Sequence, residues 1–191
     1  SFPTRRSSDL TNLSNSGSIS GSTYGIHSDN GSQILSLQNT STGVITGGDG
    51  VLIGNLTPSG TITVNTLTNA GLIVGTTGVA VGTSTNGTIG SLNNSGTISG
   101  AQGGVGNAGT ISSLVNSGTL SSSGHALYNA GTGTIGAITN SGLIAGTVYN
   151  GSVRSFVING SSDATFGTLT GVSGGTGSAE NNGSHCTQRS T

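Results

Sequence analysis

The sequence predicts an all-β chain wound as a parallel β-helix (β-solenoid) of about six coils, each of roughly 24 residues. Three observations carry that prediction. A phrase of the form aliphatic-x-Asn-Ser/Ala-Gly-Thr-Ile/Leu recurs along most of the 191 residues, and self-similarity at a near-constant interval describes an architecture. Aliphatic residues sit in short triplets between hydroxyl side chains, as in Thr97-Ile98-Ser99 and Thr119-Leu120-Ser121. This period-2 alternation puts one face inside and the other in water. Gly and Asn, which tolerate the backbone of sharp corners, break each unit every few residues, and no stretch of useful length carries a helical period.

Taken in order, Ser1 to Leu10 (SFPTRRSSDL) stands apart, with Arg5, Arg6 and Asp9 within ten residues, and resembles a translated sequencing adapter. Residues 1–10 are read as an assembly artefact outside the fold. Leu13, Leu37, Leu67, Leu92, Leu114 and Ile138 then open successive units at spacings of 24, 30, 25, 22 and 24. Asn15, Asn69, Asn94, Asn116 and Asn140 each lead an Asn-Ser-Gly or Asn-Ala-Gly, whereas the unit at Leu37 keeps only Asn39 before Thr40. Related half-units fill the gaps: GIHSDNG from Gly25, GVGNAGTI from Gly104 and ALYNAGTGTI from Ala126. Residues 11–152 are therefore expected to be solenoid, 153–178 a terminal β segment, and 179–191, with the single Cys186, an irregular or artefactual tail.

Stacking explains why the repeat is so literal. Equivalent positions of successive coils lie above one another, so Leu92, Leu114 and Ile138 are expected to form one inward row and Ile98, Leu120 and Ile144 another. Asn94, Asn116 and Asn140 are expected to form an amide ladder at a corner, as side chains do in stacked cross-β structures. With one coil per ~4.8 Å, six coils make a rod on the order of 30 Å long.

Composition fits this interior. Leu, Ile, Val and Phe number only 43, with 37 glycines and 5% charged residues. That is too few large side chains for a conventional core, while the low net charge of −1 removes the usual solvation of disordered chains. Beyond residue 10, two arginines (Arg154, Arg189) face four acids (Asp29, Asp49, Asp163, Glu180). Such a chain has no basic patch for nucleic acid and no polybasic segment for a membrane surface.

The repeated phrases resemble the passenger domains of bacterial autotransporters, proteins secreted across the outer membrane of Gram-negative cells. The resemblance covers residues 11 to about 178 and includes FVINGSSDATFGTLTGVSGGTG (Phe156 to Gly177), which is similar to the stretch between such repeats and the membrane-embedded barrel. It implies a right-handed β-helix, presented at the cell surface or extracellularly and tethered through a C-terminal translocator barrel not contained in these residues. It also implies an internal fragment. The near absence of Cys suits such a route, because a periplasmic disulfide would hinder threading.

Several motifs compete with the architectural reading and lose. Gly131–Gly136 matches G-x-G-x-x-G without the flanking strand, helix or acidic partner of a dinucleotide site, and is read as a repeat corner. Gly171–Gly175 matches G-x-S-x-G, with His185 the only histidine after it. Gly47–Ile53 begins like a calcium nonapeptide but carries Leu52 where the aspartate belongs, and Asp49 alone cannot satisfy a hard cation. It is read as a loop insertion in the one 30-residue interval. His27 and His125 fall about four coils apart, roughly 20 Å by the coil rise, too far to share a metal. Tyr24, Tyr128 and Tyr149 are candidate contact or edge residues.

No catalytic, cofactor-binding or metal-binding residue is therefore expected, and no cofactor. The expected function is a non-enzymatic stalk or adhesive segment acting in adhesion or self-association. Its expected partners are host or matrix glycans or proteins, or further copies of itself, together with its own barrel. The alternative is the structural stalk of a passenger whose upstream part is an esterase or protease. A third reading, binding of a regular surface such as ice, needs Thr97, Thr110 and Thr119 on one face, which their spacings of 13 and 9 argue against.

Overall fold

The structure, a computed structural model, describes residues 10–29, 31–54, 60–82, 86–160 and 167–173, with backbone alone for 172–173, 179–182 and 185–186. The expected artefact therefore lies outside the described residues except for Leu10. The strands are β1 (Leu10–Asn15), β2 (Ser18–Ser20), β3 (Tyr24–Ser28), β4 (Gln33–Asn39), β5 (Val44–Thr46) and β6 (Asp49–Ile53). They continue as β7 (Ile62–Asn69), β8 (Leu72–Val81), β9 (Gly87–Asn94), β10 (Thr97–Asn107), β11 (Thr110–Asn116) and β12 (Thr119–Asn129). The last are β13 (Thr134–Asn140), β14 (Leu143–Asn150), β15 (Phe156–Asn159), β16 (Thr168–Ser173), β17 (Ala179–Asn182) and β18 (His185–Cys186). No helix occurs among the described residues.

All pairing is parallel. One sheet runs β1-β4-β7-β9-β11-β13-β15-β17, and the other runs β2-β5-β8-β10-β12-β14-β16-β18, with β3 and β6 pairing alongside into β8. The chain thus alternates between two stacks and advances one position per circuit, which is a parallel β-solenoid. About six coils lie between Leu10 and Asn150, and β15 and β16 extend both stacks by pairing with β13 and β14. Within the second stack each long strand slips register, between Gly100 and Gly103 for example, and in the first two coils the strand splits outright. Each coil therefore presents three runs: one from the first sheet and two, divided by a bend, from the second.

Side chains fall into columns as expected. Leu13, Leu37, Leu67, Leu92, Leu114, Ile138 and Ile158 are in register down the first sheet. Ile19, Ile45, Ile73, Ile98, Leu120, Ile144 and Leu169 form the facing column. Two more columns line the interior, Ile34-Val64-Ile89-Ile111-Ile135 and Val51-Val79-Val105-Leu127-Val148, with Ile53, Ile62 and Val81 packed beside them. Each full coil from the second to the sixth so contributes four aliphatics, nearly all buried. Burying each contributes about 1.5–3 kcal/mol, and close stacking lets small and β-branched residues fill an interior that large side chains fill elsewhere.

The corner after the first sheet carries the amide ladder. Each asparagine Nδ2 donates to the Oδ1 of the next: Asn15 to Asn39, Asn39 to Asn69, Asn69 to Asn94, Asn94 to Asn116 and Asn116 to Asn140, at 2.7–2.9 Å. Asn39, in the degenerate second unit, belongs to it like the rest. Nδ2 also donates to carbonyls of its own corner and of the next coil, as Asn94 does to Gly96 and Thr119. These bonds satisfy a side chain that would otherwise be costly to bury. A second ladder at the opposite corner was not anticipated: Asn107, Asn129 and Asn150 join at 2.8 and 2.9 Å.

One expectation is corrected. Gly47–Ile53 is no insertion, because Asp49–Ile53 is β6, in register with β3 on one side and β8 on the other. The extra length of that interval falls after Ile53, before Ile62 resumes the first sheet. The glycines mark the bend between β5 and β6, and Asp49 sits in a column with Tyr24 and Thr77.

Candidate binding surface

Outward positions stack as strictly as inward ones. On the run after the bend, one column reads Tyr24, Asp49, Thr77, Gly103, His125, Thr147, Gly171. The neighbouring column reads His27, Leu52, Ala80, Gly106, Tyr128, Tyr149. The histidines are thus four coils apart, and each meets tyrosine instead of a metal partner. His27 lies 4.7 Å from the Tyr24 ring and donates through Nε2 to the Gly54 carbonyl at 2.9 Å, which fixes its tautomer.

The larger cluster joins the fifth and sixth coils. Tyr128 and Tyr149 stack with centroids 5.2 Å apart and planes 6° apart, while His125 tilts against both at 5.4 Å. Such pairs add about 0.5–1.5 kcal/mol beyond their buried area. Tyr128 remains 37% exposed, so the rings form a surface strip rather than part of the interior.

One coil before this strip the surface is indented. The register partners of His125 and Tyr128 are Gly103 and Gly106, and the next side chains along the axis are Thr77 and Ala80. The dent has two adjoining lobes of about 230 and 180 Å³ that share Thr77, Gly106 and Tyr128. Gln102 and His125 edge one lobe, and Asn107 and Ala108 the other. Neither glycine is demanded by packing: a Cβ at either would meet the Thr77 methyl at 3.4 Å, an ordinary contact. Two lining residues hold a buried polar atom with no partner in the protein, His125 Nδ1 and Asn107 Oδ1. Aligning GVGNAG with ALYNAG already sets Gly106 against Tyr128, and the same offset of 22 sets Gly103 against His125; the pairing of Gly103 with Thr77 on the other side follows a register shift after Gly100.

Among the described residues no three of His, Cys, Asp and Glu cluster. Gly133 lies in a repeat corner, where a Cβ would meet Asn129 Oδ1, consistent with the structural reading of Gly131–Gly136. The G-x-S-x-G match falls partly outside the described residues, with Gly171 to Ser173 inside β16. Thr97 and Thr119 share a column, but Thr110 belongs to the first sheet with Thr63, Thr88 and Thr134, so the three do not form one flat array. Comparison with family models, with curated proteins and with solved structures finds no significant match.

Proposed function

We propose that the chain is a stalk or adhesive segment of a bacterial autotransporter passenger, displayed at the cell surface and acting by adhesion or self-association. The observation that carries this reading is the registered outward surface. Columns such as Ser36-Thr66-Ser91-Ser113 and Thr63-Thr88-Thr110-Thr134 repeat small hydroxyl groups over four successive coils. A rod that repeats similar groups over successive coils favours many weak contacts acting together, where effective concentration raises avidity without new chemistry. The aromatic strip supplies the side chains most enriched at recognition surfaces. The repeat phrases support an autotransporter origin, and host or matrix glycans, proteins, or a second copy are the partners proposed.

The test is multivalent display. Latex beads densely coated with the chain are expected to aggregate or to settle on matrix-coated glass, with free chain competing only at high concentration. Beads that behave like albumin-coated controls on every surface would overturn the proposal.

A further inference from the structure

The aromatic stack stops at Tyr128. Tyr149 covers one face of that ring, so the other face turns toward the fourth coil, where the register partner is Gly106. The neighbouring column has the same gap, since Gly103 stands between His125 and Thr77. Two coil rises, about 9.6 Å, separate the side chains of the third and fifth coils. That leaves a slot one layer thick, roughly the space a single six-membered ring fills when it stacks on an aromatic face at about 4.5–5 Å.

The walls select among rings. No Asp, Glu, Lys or Arg lines either lobe, so nothing compensates a charged ligand. The Gln102 amide, the Thr77 hydroxyl and the His125 imidazole bring polar groups to the slot. A purely aromatic ring would cover the Gln102 amide and the Thr77 hydroxyl with an apolar edge and leave them unpaired. A ring that is apolar on its faces and hydroxylated at its rim satisfies both demands.

We infer that the Gly103–Gly106 slot beside Tyr128 binds one neutral hexopyranose ring, its C–H face stacked on Tyr128 and its hydroxyls paired to the polar rim. This deepens the adhesive reading by naming one ligand for that surface, and it rests on that reading only for its biological setting. Free sugar and the terminal residue of a longer glycan offer the same ring.

The test is NMR titration of the isotope-labelled 191-residue chain with methyl β-D-glucopyranoside and methyl β-D-galactopyranoside, and with p-cresol as an aromatic probe. Saturable shifts are expected at Gly103, Gly106 and the His125 and Tyr128 rings for at least one sugar, in the millimolar range usual for one shallow ring contact, ~4 kcal/mol. Gly106→Tyr, which fills the slot with a ring in register with Tyr128, is expected to weaken binding at least tenfold. Tyr128→Leu is expected to do the same, and Gly17→Ala, in the first coil, to leave binding unchanged. Unchanged urea midpoints establish that the variants are folded. The inference is overturned if neither sugar shifts these resonances, or if both slot variants bind as the parent does. It is equally overturned if p-cresol saturates the slot and the sugars do not, which would assign it to an aromatic side chain of a partner. Adhesive beads with no sugar binding would remove the slot assignment alone; sugar binding with inert beads would remove the adhesive function alone.

Discussion

An asparagine inside a ladder serves the coils on both sides at once. Asn116 accepts from Asn94 Nδ2 at 2.8 Å and donates to Asn140 Oδ1 at 2.7 Å, and it also donates to the Gly118 and Leu143 carbonyls. Asn116→Ala removes these bonds, takes the ladder donor from Asn140 Oδ1 and leaves Asn94 Nδ2 only its carbonyl acceptors at Gly96 and Thr119. Urea denaturation is expected to show a loss of about 2–4 kcal/mol. Ladder ends are handled unequally. Asn15 Oδ1 takes the Gly17 N–H at 3.3 Å, whereas Asn107 Oδ1, facing Val81 in the preceding coil, has no partner. Asn107→Ala breaks one ladder link instead of two and discards an unpaired acceptor, so its cost is expected to be about half that of Asn116→Ala. Equal costs would show that the ladder bonds carry little of the stability.

At the scale of the strand, inside and outside differ by a single residue. Leu114 is 1% exposed in the middle of its column, and its neighbour Val115 is 37% exposed. Leu114→Ala opens a cavity between Leu92 and Ile138 and is expected to cost about 2–5 kcal/mol, against less than about 0.5 for Val115→Thr. Corner glycines follow a steric rule of their own. A Cβ on Gly118 would overlap the Gly96 carbonyl oxygen, and one on Gly142 would overlap that of Gly118 in the same way. The coils touch backbone to backbone there, so Gly118→Ala must push them apart, at a cost of about 3 kcal/mol, the upper range for overpacking. Gly106→Ala meets only a methyl at 3.4 Å and is expected to be neutral within about 0.5 kcal/mol. Chemical denaturation of the two alanine variants side by side checks the contrast; similar losses would contradict this stacking.

For the whole molecule, stability is a sum over neighbouring coils. Coils three to five have registered neighbours on both sides, while β1 is paired on one side only among the described residues. Hydrogen exchange is therefore expected to be slowest for Ile73, Ile98 and Leu120 and at least tenfold faster in β1 and β2, with openings propagating inward. Uniform exchange along the axis would mean that the coils open as one unit. Far-UV circular dichroism of the same chain is expected to show β-structure without a helical component, in keeping with the parallel strands alone.

The sequence by itself determined the β-solenoid, its period, two of the four inward columns and the first amide ladder. All of these depend on residues that recur beside the corner asparagine, followed by Ser/Ala-Gly in five of the six units, which resets the register at each turn. Only the tertiary structure decided the rest. The second half of each coil carries bends and register shifts of its own, so neighbours there are separated by 21 to 28 residues, as with Tyr128–Tyr149 and Asp49–Thr77. Counting along the chain could not show that Asp49–Ile53 is strand, that Asn150 continues the ladder of Asn107 and Asn129, or that Thr77 is the next side chain beyond Gly103. The physical reason is that a side chain's neighbours in a solenoid are set by backbone pairing between coils, and a bulge of one or two residues moves every partner beyond it.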